Sequence, residues 1–266
     1  MSDLLEPILA RKRREIARRH GHRGLFDPAR ARRGHAPLPA LEALKRTGPL
    51  PRIIAEVKLA SPSEGRIRAW RPGEVLRVAR SYEASGAAAV SVLCDRAGFG
   101  GSVLDLRRVA REVRLPALFK EFVLDPIQVD LARAAGASMV LLLVRALSDA
   151  ALSELVRACL DRGLEPVVEA ASADEVERAL RTEARVVGVN ARDLATFRVD
   201  PAVAAAAIQK IPENRVAVYM SGVSSPEELS RVAKGRADAV LIGTALVRAS
   251  DPGARLRELV EGAGPS

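Results

Sequence analysis

The stretch Ile53-Ile54-Ala55-Glu56-Val57-Lys58 is the first of eight short apolar runs that decide the fold of this chain. Each run is rich in Val, Leu, Ile or Ala and is short enough for a buried strand. Near-continuous apolar strands are typical of a parallel sheet whose faces are covered by helices. The other seven runs are Ala88–Leu93, Ala117–Phe122, Met139–Val144, Glu165–Glu169, Val186–Asn190, Val216–Ser221 and Ala239–Gly243.

Amphipathic stretches with helical spacing separate these runs, and their ends carry helix start and stop signals. Ser172 and Ser225 are candidate N-caps, and Pro226 follows the second of them at the first helical position. Gly136 and Gly163 lie where predicted helices end. The predicted helices include Pro72–Ser85, Val103–Val113, Pro126–Ala135, Asp149–Arg162, Ala173–Leu180 and Pro226–Lys234.

This alternation of strands and helices predicts an α/β fold, a (β/α)₈ TIM barrel over residues 51–266 with an N-terminal helical extension over residues 1–50. Such a barrel typically needs about 250 residues. A doubly wound open sheet is the structural alternative, and it is less favoured because no Gly-rich dinucleotide loop follows the first strand. The extension is predicted to hold helices near Leu4–Arg19 and Pro39–Arg46 and to pack on the barrel.

The composition indicates a globular chain rather than a disordered or membrane protein, and its basic balance leaves open a surface that attracts phosphorylated substrates or binds nucleic acid loosely. Of 266 residues, 48% are hydrophobic and 28% are charged, which suits neither disorder nor a membrane protein. The net charge is +9, but the cations are scattered among acids, and only 3% of residues are aromatic. We therefore expect no stacking platform for nucleic acid. Six of the 42 cations are lysines, so the positions that keep a lysine are informative.

The termini and cysteines predict a cytoplasmic protein without a metal. The N-terminal segment lacks the apolar core of a signal peptide, and the longest apolar run, Met139–Val144, is too short to span a bilayer. Cys94 and Cys159 have no metal-ligand spacing, so we expect reduced thiols.

Polar residues end several predicted strands, on the face where (β/α)₈ enzymes have their active sites. Glu56 and Lys58 share one side of the first strand because side chains alternate. Lys120 lies in the third run, Glu169 ends the fifth and Asn190 ends the sixth. One lysine alone would more simply end a strand in solvent. The whole set indicates a catalytic cluster, since charges inside strands are costly without partners.

Two glycine-containing turns predict a phosphate site next to this cluster. Ser221-Gly222 follows the seventh strand and Gly243-Thr244 follows the eighth. Loops at these strands often hold phosphate through backbone N–H groups, although either glycine alone would indicate only a turn. The loop from Leu59 to about Arg71 is long enough to act as a lid.

In order along the chain, these motifs resemble those of the indole-3-glycerol phosphate synthase family of tryptophan biosynthesis. The resemblance covers nearly the whole chain, including the N-terminal helices. It rests on Ile54-Ala55-Glu56-Val57-Lys58 with Ser61-Pro62-Ser63 and Gly65, on Ser91-Val92-Leu93 with Asp95, on Phe99 with Gly101-Ser102, on Leu118 with Lys120-Glu121-Phe122, on Pro166 with Val168-Glu169, on Gly188-Val189-Asn190 with Arg192-Asp193-Leu194, on Ser221-Gly222 and on Leu241-Ile242-Gly243.

The resemblance implies ring closure of 1-(2-carboxyphenylamino)-1-deoxyribulose 5-phosphate with loss of CO₂ and water, without a cofactor or metal. Lys120 matches the general acid at the ribulose C2 oxygen. Lys58 matches the lysine that pairs with the substrate carboxylate, and it is a second candidate proton donor. Glu169 matches the carboxylate that stabilises positive charge and moves protons. Glu56 and Asn190 match groups that orient the lysines and hydroxyls and take part in dehydration.

The resemblance also assigns the binding residues and the partners of the chain. The phosphate cradle comprises Ser221, Gly222, Gly243 and Thr244, with Ser61 nearby, while Arg192 supports the catalytic cluster. The anthranilate ring is enclosed by Phe99, Phe122, Leu141, Leu143 and Leu194. The implied partner is a small phosphorylated substrate, with no nucleic acid and no membrane, and we expect a monomer.

Met220 is the one departure from the family pattern that bears on the chemistry, because the family usually has Glu directly before this Ser-Gly. A thioether neither accepts a proton nor binds a hydroxyl as a carboxylate does. One alternative is therefore a reduced-activity or non-catalytic phosphate-binding barrel derived from this family. A phosphoribosyl-anthranilate isomerase is a second alternative, but its Cys base and Asp acid would stand where this chain has Lys58 and Asn190.

Overall fold

The eight predicted strands form a closed parallel barrel, so the predicted (β/α)₈ fold is confirmed. The computed structural model describes residues 5–21, 36–62, 65–69, 71–192 and 198–264. Each strand pairs with the next along the chain, and the eighth pairs with the first. The strands are β1 (Arg52–Val57), β2 (Ala89–Leu93), β3 (Ala117–Lys120), β4 (Met139–Leu143), β5 (Glu165–Ala170), β6 (Val186–Asn190), β7 (Val216–Met220) and β8 (Ala239–Ile242).

Helices cover the outside of the barrel, and several begin where the sequence predicts. The side chains of Ser172 and Ser225 accept hydrogen bonds from the backbone N–H groups of Glu175 and Glu228, as N-caps do. Between and after the strands lie Glu74–Ala84, Arg96–Phe99, Val103–Glu112, Pro126–Ala135, Asp149–Leu160, Ala173–Leu180, Pro201–Ile208, Pro226–Ala233, Thr244–Val247 and Pro252–Ala263, with a 3₁₀ turn at Val144–Ala146.

Alternation along each strand divides the apolar residues between two cores. In β1, Ile53 and Ala55 face the helices, whereas Ile54 lies in the barrel interior with Leu118 and Val167. This parity turns Glu56 inward as well, because it lies two residues after Ile54. The residues at the carboxyl ends of the strands therefore converge on one mouth.

The N-terminal extension contacts both ends of the barrel. Its second helix, Ala40–Leu44, seals the amino end, where the fully buried Leu44 belongs to the interior core. Its first helix, Leu5–Gly21, packs beside Pro126–Ala135 and reaches the loops that follow β2 and β3. Both predicted helices are present, whereas the division of the chain at residue 50 stays a prediction. Among the described residues, no helix is both long and apolar enough to cross a membrane.

Candidate active site

A hydrogen-bonded chain of polar side chains spans the mouth of the barrel from β3 to β6. Lys120 Nζ lies 3.0 Å from Glu169 Oε2, and Asn190 Nδ2 donates to Glu169 Oε1 at 2.9 Å. Asn190 Oδ1 in turn accepts a hydrogen bond from the backbone N–H of Arg192 at 3.0 Å. Glu169 is therefore held from both sides, and its position fixes that of the Lys120 amine.

A second ion pair lies at the carboxyl end of β1. Lys58 Nζ lies 3.4 Å from Glu56 Oε1, and Ser91 Oγ on β2 donates to Glu56 Oε2 at 3.4 Å. Glu56 is 5% exposed, so its side chain lies inside the barrel rather than in solvent. Ser91 was not predicted as a site residue. A lone serine at an inward position of an apolar strand is the signal that identifies it.

The carboxylates around Lys120 favour its protonated form. Burial alone would lower the pKa of Lys120, but the negative charges of Glu169 and Glu56 raise that pKa above its ordinary value. The amine is therefore a cation near neutral pH, ready to donate a proton to an oxygen that gains negative charge. This is the state that a general acid needs before the reaction begins.

One cavity at the mouth contains most of the predicted site residues. It is lined by all five predicted catalytic residues and also by Ser61, Arg192, Ser221, Thr244, Phe99, Phe122, Leu141 and Leu143. Gly222 and Gly243 lie in an adjoining cleft that shares Lys58 and Ser221 with the first cavity. Leu194 lies outside the described residues. The lining of the first cavity also includes Leu93, Glu121 and Leu241, which were not predicted as site residues.

Two turns lie beside the cavity, and one of them has an unusual backbone geometry. Ser221 and Gly222 have φ of 67° and 72°, so two consecutive residues are left-handed. A Cβ on Gly222 would stand 2.8 Å from Val199 Cγ1, and a Cβ on Gly243 would stand 2.6 Å from Glu56 Oε1. The positive φ favours glycine at position 222, and an added Cβ at position 243 would crowd the Glu56 side chain. Turns of this kind bring backbone N–H groups close to bound phosphate.

Two aromatic rings stand at the apolar side of the cavity. The ring centroids of Phe99 and Phe122 are 6.3 Å apart, with 38° between the ring planes. Leu141 and Leu143 face the same cavity from β4 and are almost fully buried. The cavity therefore has an apolar side that can hold an aromatic ring and a charged side that can act on it.

The chain matches a known protein family over almost its full length. The family model described as "Indole-3-glycerol phosphate synthase" matches residues 5–259. The chain belongs to the indole-3-glycerol phosphate synthase family. The motif resemblance is thereby confirmed over almost the full length of the sequence.

Individual indole-3-glycerol phosphate synthases agree with this assignment. The synthase of Leifsonia xyli subsp. xyli is 43% identical over 257 residues, which are 96% of this chain and 97% of that protein. The synthase of Leptothrix cholodnii is 39% identical over 263 residues, which are 97% of this chain and 99% of that protein. These relatives are named as synthases, so the alternative of a non-catalytic barrel receives no support from them.

Solved structures with less similar sequences share the fold of this family. A 3-hexulose-6-phosphate synthase matches with a TM-score of 0.64 and 17% identity, covering 80% of this chain and 100% of the other. A chain of the tryptophan synthase complex from Pyrococcus furiosus matches with a TM-score of 0.59 and 16% identity. The match covers 80% of this chain and 97% of the other. Both matches support the barrel fold.

Met220 stands directly before Ser221-Gly222, where the motif resemblance leads us to expect Glu. It lines the cavity, is 1% exposed and pairs in register with Asn190 on β6. A Cβ at Gly188 would overlap the Met220 side chain, so the thioether fills space that the neighbouring glycine leaves open. Although residue 220 supplies no carboxylate, each lysine of the cavity has one close carboxylate partner: Glu56 for Lys58 and Glu169 for Lys120.

Proposed function

We propose that this chain is an indole-3-glycerol phosphate synthase, which converts 1-(2-carboxyphenylamino)-1-deoxyribulose 5-phosphate to indole-3-glycerol phosphate, CO₂ and water. The observation that carries the proposal is the Lys120–Glu169–Asn190 chain, which shares one cavity with the Lys58–Glu56 pair in a member of this family. This arrangement supplies two cations for an anionic substrate and, beside Lys120, a carboxylate that can accept a proton.

Ring closure requires an acid at the ribulose C2 oxygen. The ring carbon that bears the carboxylate attacks C2, and the carbonyl π electrons move to oxygen, which takes a proton from Lys120. Glu169, 3.0 Å from the Lys120 amine, stabilises the positive charge that develops on the anthranilate nitrogen and ring. Breaking the bond to the carboxylate then releases CO₂ and returns its electron pair to the ring, which restores aromaticity.

Dehydration requires an acid and a base on either side of the new bond. The C2 hydroxyl leaves as water once it takes a proton, for which Lys58 is well placed beside Glu56. A proton is lost from the former ribulose C1, and Glu169 is the carboxylate held in position to receive it by Asn190. The C1–C2 double bond of indole forms from the electron pair of that C–H bond.

The binding groups divide between the two sides of the cavity. We assign the substrate phosphate to the Ser221-Gly222 and Gly243-Thr244 turns, and its aromatic ring to Phe99 and Phe122. The expected partner is this small phosphorylated molecule, without nucleic acid. We further expect a cytoplasmic monomer that uses no cofactor or metal.

One assay tests the proposal directly. Purified protein and the carboxyphenylamino-deoxyribulose phosphate should give a time-dependent rise in indole fluorescence, with one CO₂ released per indole formed. The exposed-site variant Lys210→Ala should behave as the wild type, and Lys120→Ala should give almost no product. Substrate binding without product or CO₂ formation by the wild type would contradict the proposal.

A further inference from the structure

A buried lysine of the N-terminal helix binds two carboxylates behind the aromatic side of the cavity. Lys12 is 3% exposed, and its Nζ lies 2.8 Å from Asp95 Oδ1 and 3.0 Å from Glu121 Oε2. Glu15 on the same helix adds a third contact at 2.9 Å. Lys12 is one of only six lysines in the chain, and burying an ammonium group requires this degree of compensation.

Each of the two carboxylates is tied to one of the aromatic residues of the cavity. Asp95 Oδ2 accepts a hydrogen bond from Gly98 N at 2.7 Å and caps the short helix that ends at Phe99. Glu121 Oε1 accepts a hydrogen bond from Phe122 N at 2.8 Å. The two carboxylates follow different strands, β2 and β3, so Lys12 is the bridge between the loops that carry the two rings.

The charges of Lys12 and of its carboxylate partners stabilise the bridge between the two loops. Burial alone would lower the pKa of Lys12, but the surrounding carboxylates raise it to about 12. Burial raises the pKa of Glu121 to about 7, against the opposing effect of Lys12. Asp95 has a second cationic partner, Arg11, at 2.9 Å. Without Lys12, the ion pairs that join Asp95 and Glu121 through one ammonium group would be lost, and this link between the two loops would be broken.

We propose that Lys12 is a positioning residue, which sets the separation of Phe99 and Phe122 and thereby the fit of the substrate's aromatic ring. The inference rests on the proposed function, because it requires that the two rings hold the anthranilate group. Lys12 itself does not line the cavity that contains Lys120. It acts through Asp95 and Glu121, at the opposite side of the site from the phosphate turns.

The test compares Lys12→Met with Arg13→Met, a matched control on the exposed side of the same helix, where Arg13 pairs with Glu6. Two probes separate the two sides of the site: inorganic phosphate, and the analogue in which the substrate C2 carbonyl is reduced to an alcohol. Lys12→Met should bind the analogue about tenfold more weakly, because small misplacements of positioning groups are costly, and should bind phosphate normally. KM should rise more than kcat falls.

Two further variants keep the test decisive. Lys12→Arg retains the cation and should regain most of the analogue affinity. Lys12→Met with Glu121→Gln removes the buried carboxyl group that would lose its cationic partner, so it should fold if Lys12→Met does not. It should still bind the analogue weakly, because the bridge is missing. Equal analogue binding by Lys12→Met and Arg13→Met, or equal loss of both probes, would overturn the role of Lys12. An inactive wild type would instead overturn the proposed function on which the inference rests.

Discussion

The amine of Lys120 on β3 lies 3.0 Å from the carboxylate of Glu169 on β5. Strand β4 lies between these two strands in the barrel wall. Because the pair joins two strands that are not neighbours, the contact depends on the closed barrel and not on local sequence. It holds a proton on Lys120 and places a base within reach of it. The first two predictions follow from this pair.

Lys120→Ala should lower kcat far more than it changes substrate affinity. A general acid acts on charge that appears in the transition state, so its loss reduces kcat by about 10²–10⁴-fold. Steady-state indole fluorescence gives kcat and KM, and Lys210→Ala serves as the exposed control. A variant with normal kcat and a raised KM would reassign Lys120 to ground-state binding.

Glu169→Gln should move the basic limb of the pH–rate profile to lower pH. The Glu169 charge is one of the two that raise the pKa of Lys120, so removing it leaves burial less opposed and lowers that pKa. The amine then loses its proton at a lower pH. The profile of kcat/KM against pH measures the shift, with Glu177→Gln at an exposed ion pair as control. An unmoved basic limb would mean that Lys120 is not the titrating acid.

Gly222→Ala should weaken phosphate binding specifically. The new Cβ would stand 2.8 Å from Val199 Cγ1, and φ of 72° is strained for alanine. Gly163→Ala is a matched control, because Gly163 has φ of 70° with nothing within 4 Å and does not line the site. Both variants should lose stability, but only Gly222→Ala should raise the inhibition constant of inorganic phosphate. Equal inhibition constants would exclude this turn from the phosphate site.

The barrel and much of its mouth could be predicted from the sequence because strand parity is a strong local signal. Once Ile54 is assigned to the interior, Glu56 must face inward too, and the same parity turns Lys120 and Asn190 into the mouth. The helix Pro201–Ile208 was not among the helices predicted from amphipathic spacing. Its sequence is nearly all alanine and other apolar residues, so it has no polar stripe to set its period.

The docking of the N-terminal extension could not be predicted, since no periodicity encodes it. Lys12 meets Glu121, which lies 109 positions further along the chain. Leu44 enters the amino end of the barrel by packing on strands that follow it in sequence. Both contacts depend on how a separate helix lies on the finished barrel. The sequence shows Lys12 only as one of several cations scattered among acids on this helix, which indicates no distant partner.

Glu74→Gln should reduce stability at neutral pH but not in strong acid. Hydrogen bonds from Arg77, at 2.6 Å, and from Arg68 lower the pKa of Glu74 to about 2. A depressed carboxyl pKa contributes stability that is full above the ordinary value of 4.5 and is lost as pH falls toward 2. Urea unfolding of wild type and variant at several pH values gives the difference. A difference that does not change between pH 7 and pH 3 would contradict this assignment.

Met220→Glu tests whether a carboxylate at position 220 takes part in the reaction. Met220 packs on Gly188, which leaves room for a side chain of similar length, and it lies beside Asn190 in the register of β6 and β7. A carboxylate there adds a group that can bind substrate hydroxyls and raises the pKa of nearby lysines. We expect kcat/KM to rise by roughly tenfold, below the 10²–10⁴ of a full general acid or base, with the basic limb moved to higher pH. Stability should fall, because the carboxylate is buried.

The control variant Met220→Gln has the same shape as Met220→Glu without the charge, and it should shift neither limb of the pH profile. If Met220→Glu has the wild-type kcat/KM and pH profile, position 220 lies outside the chemistry.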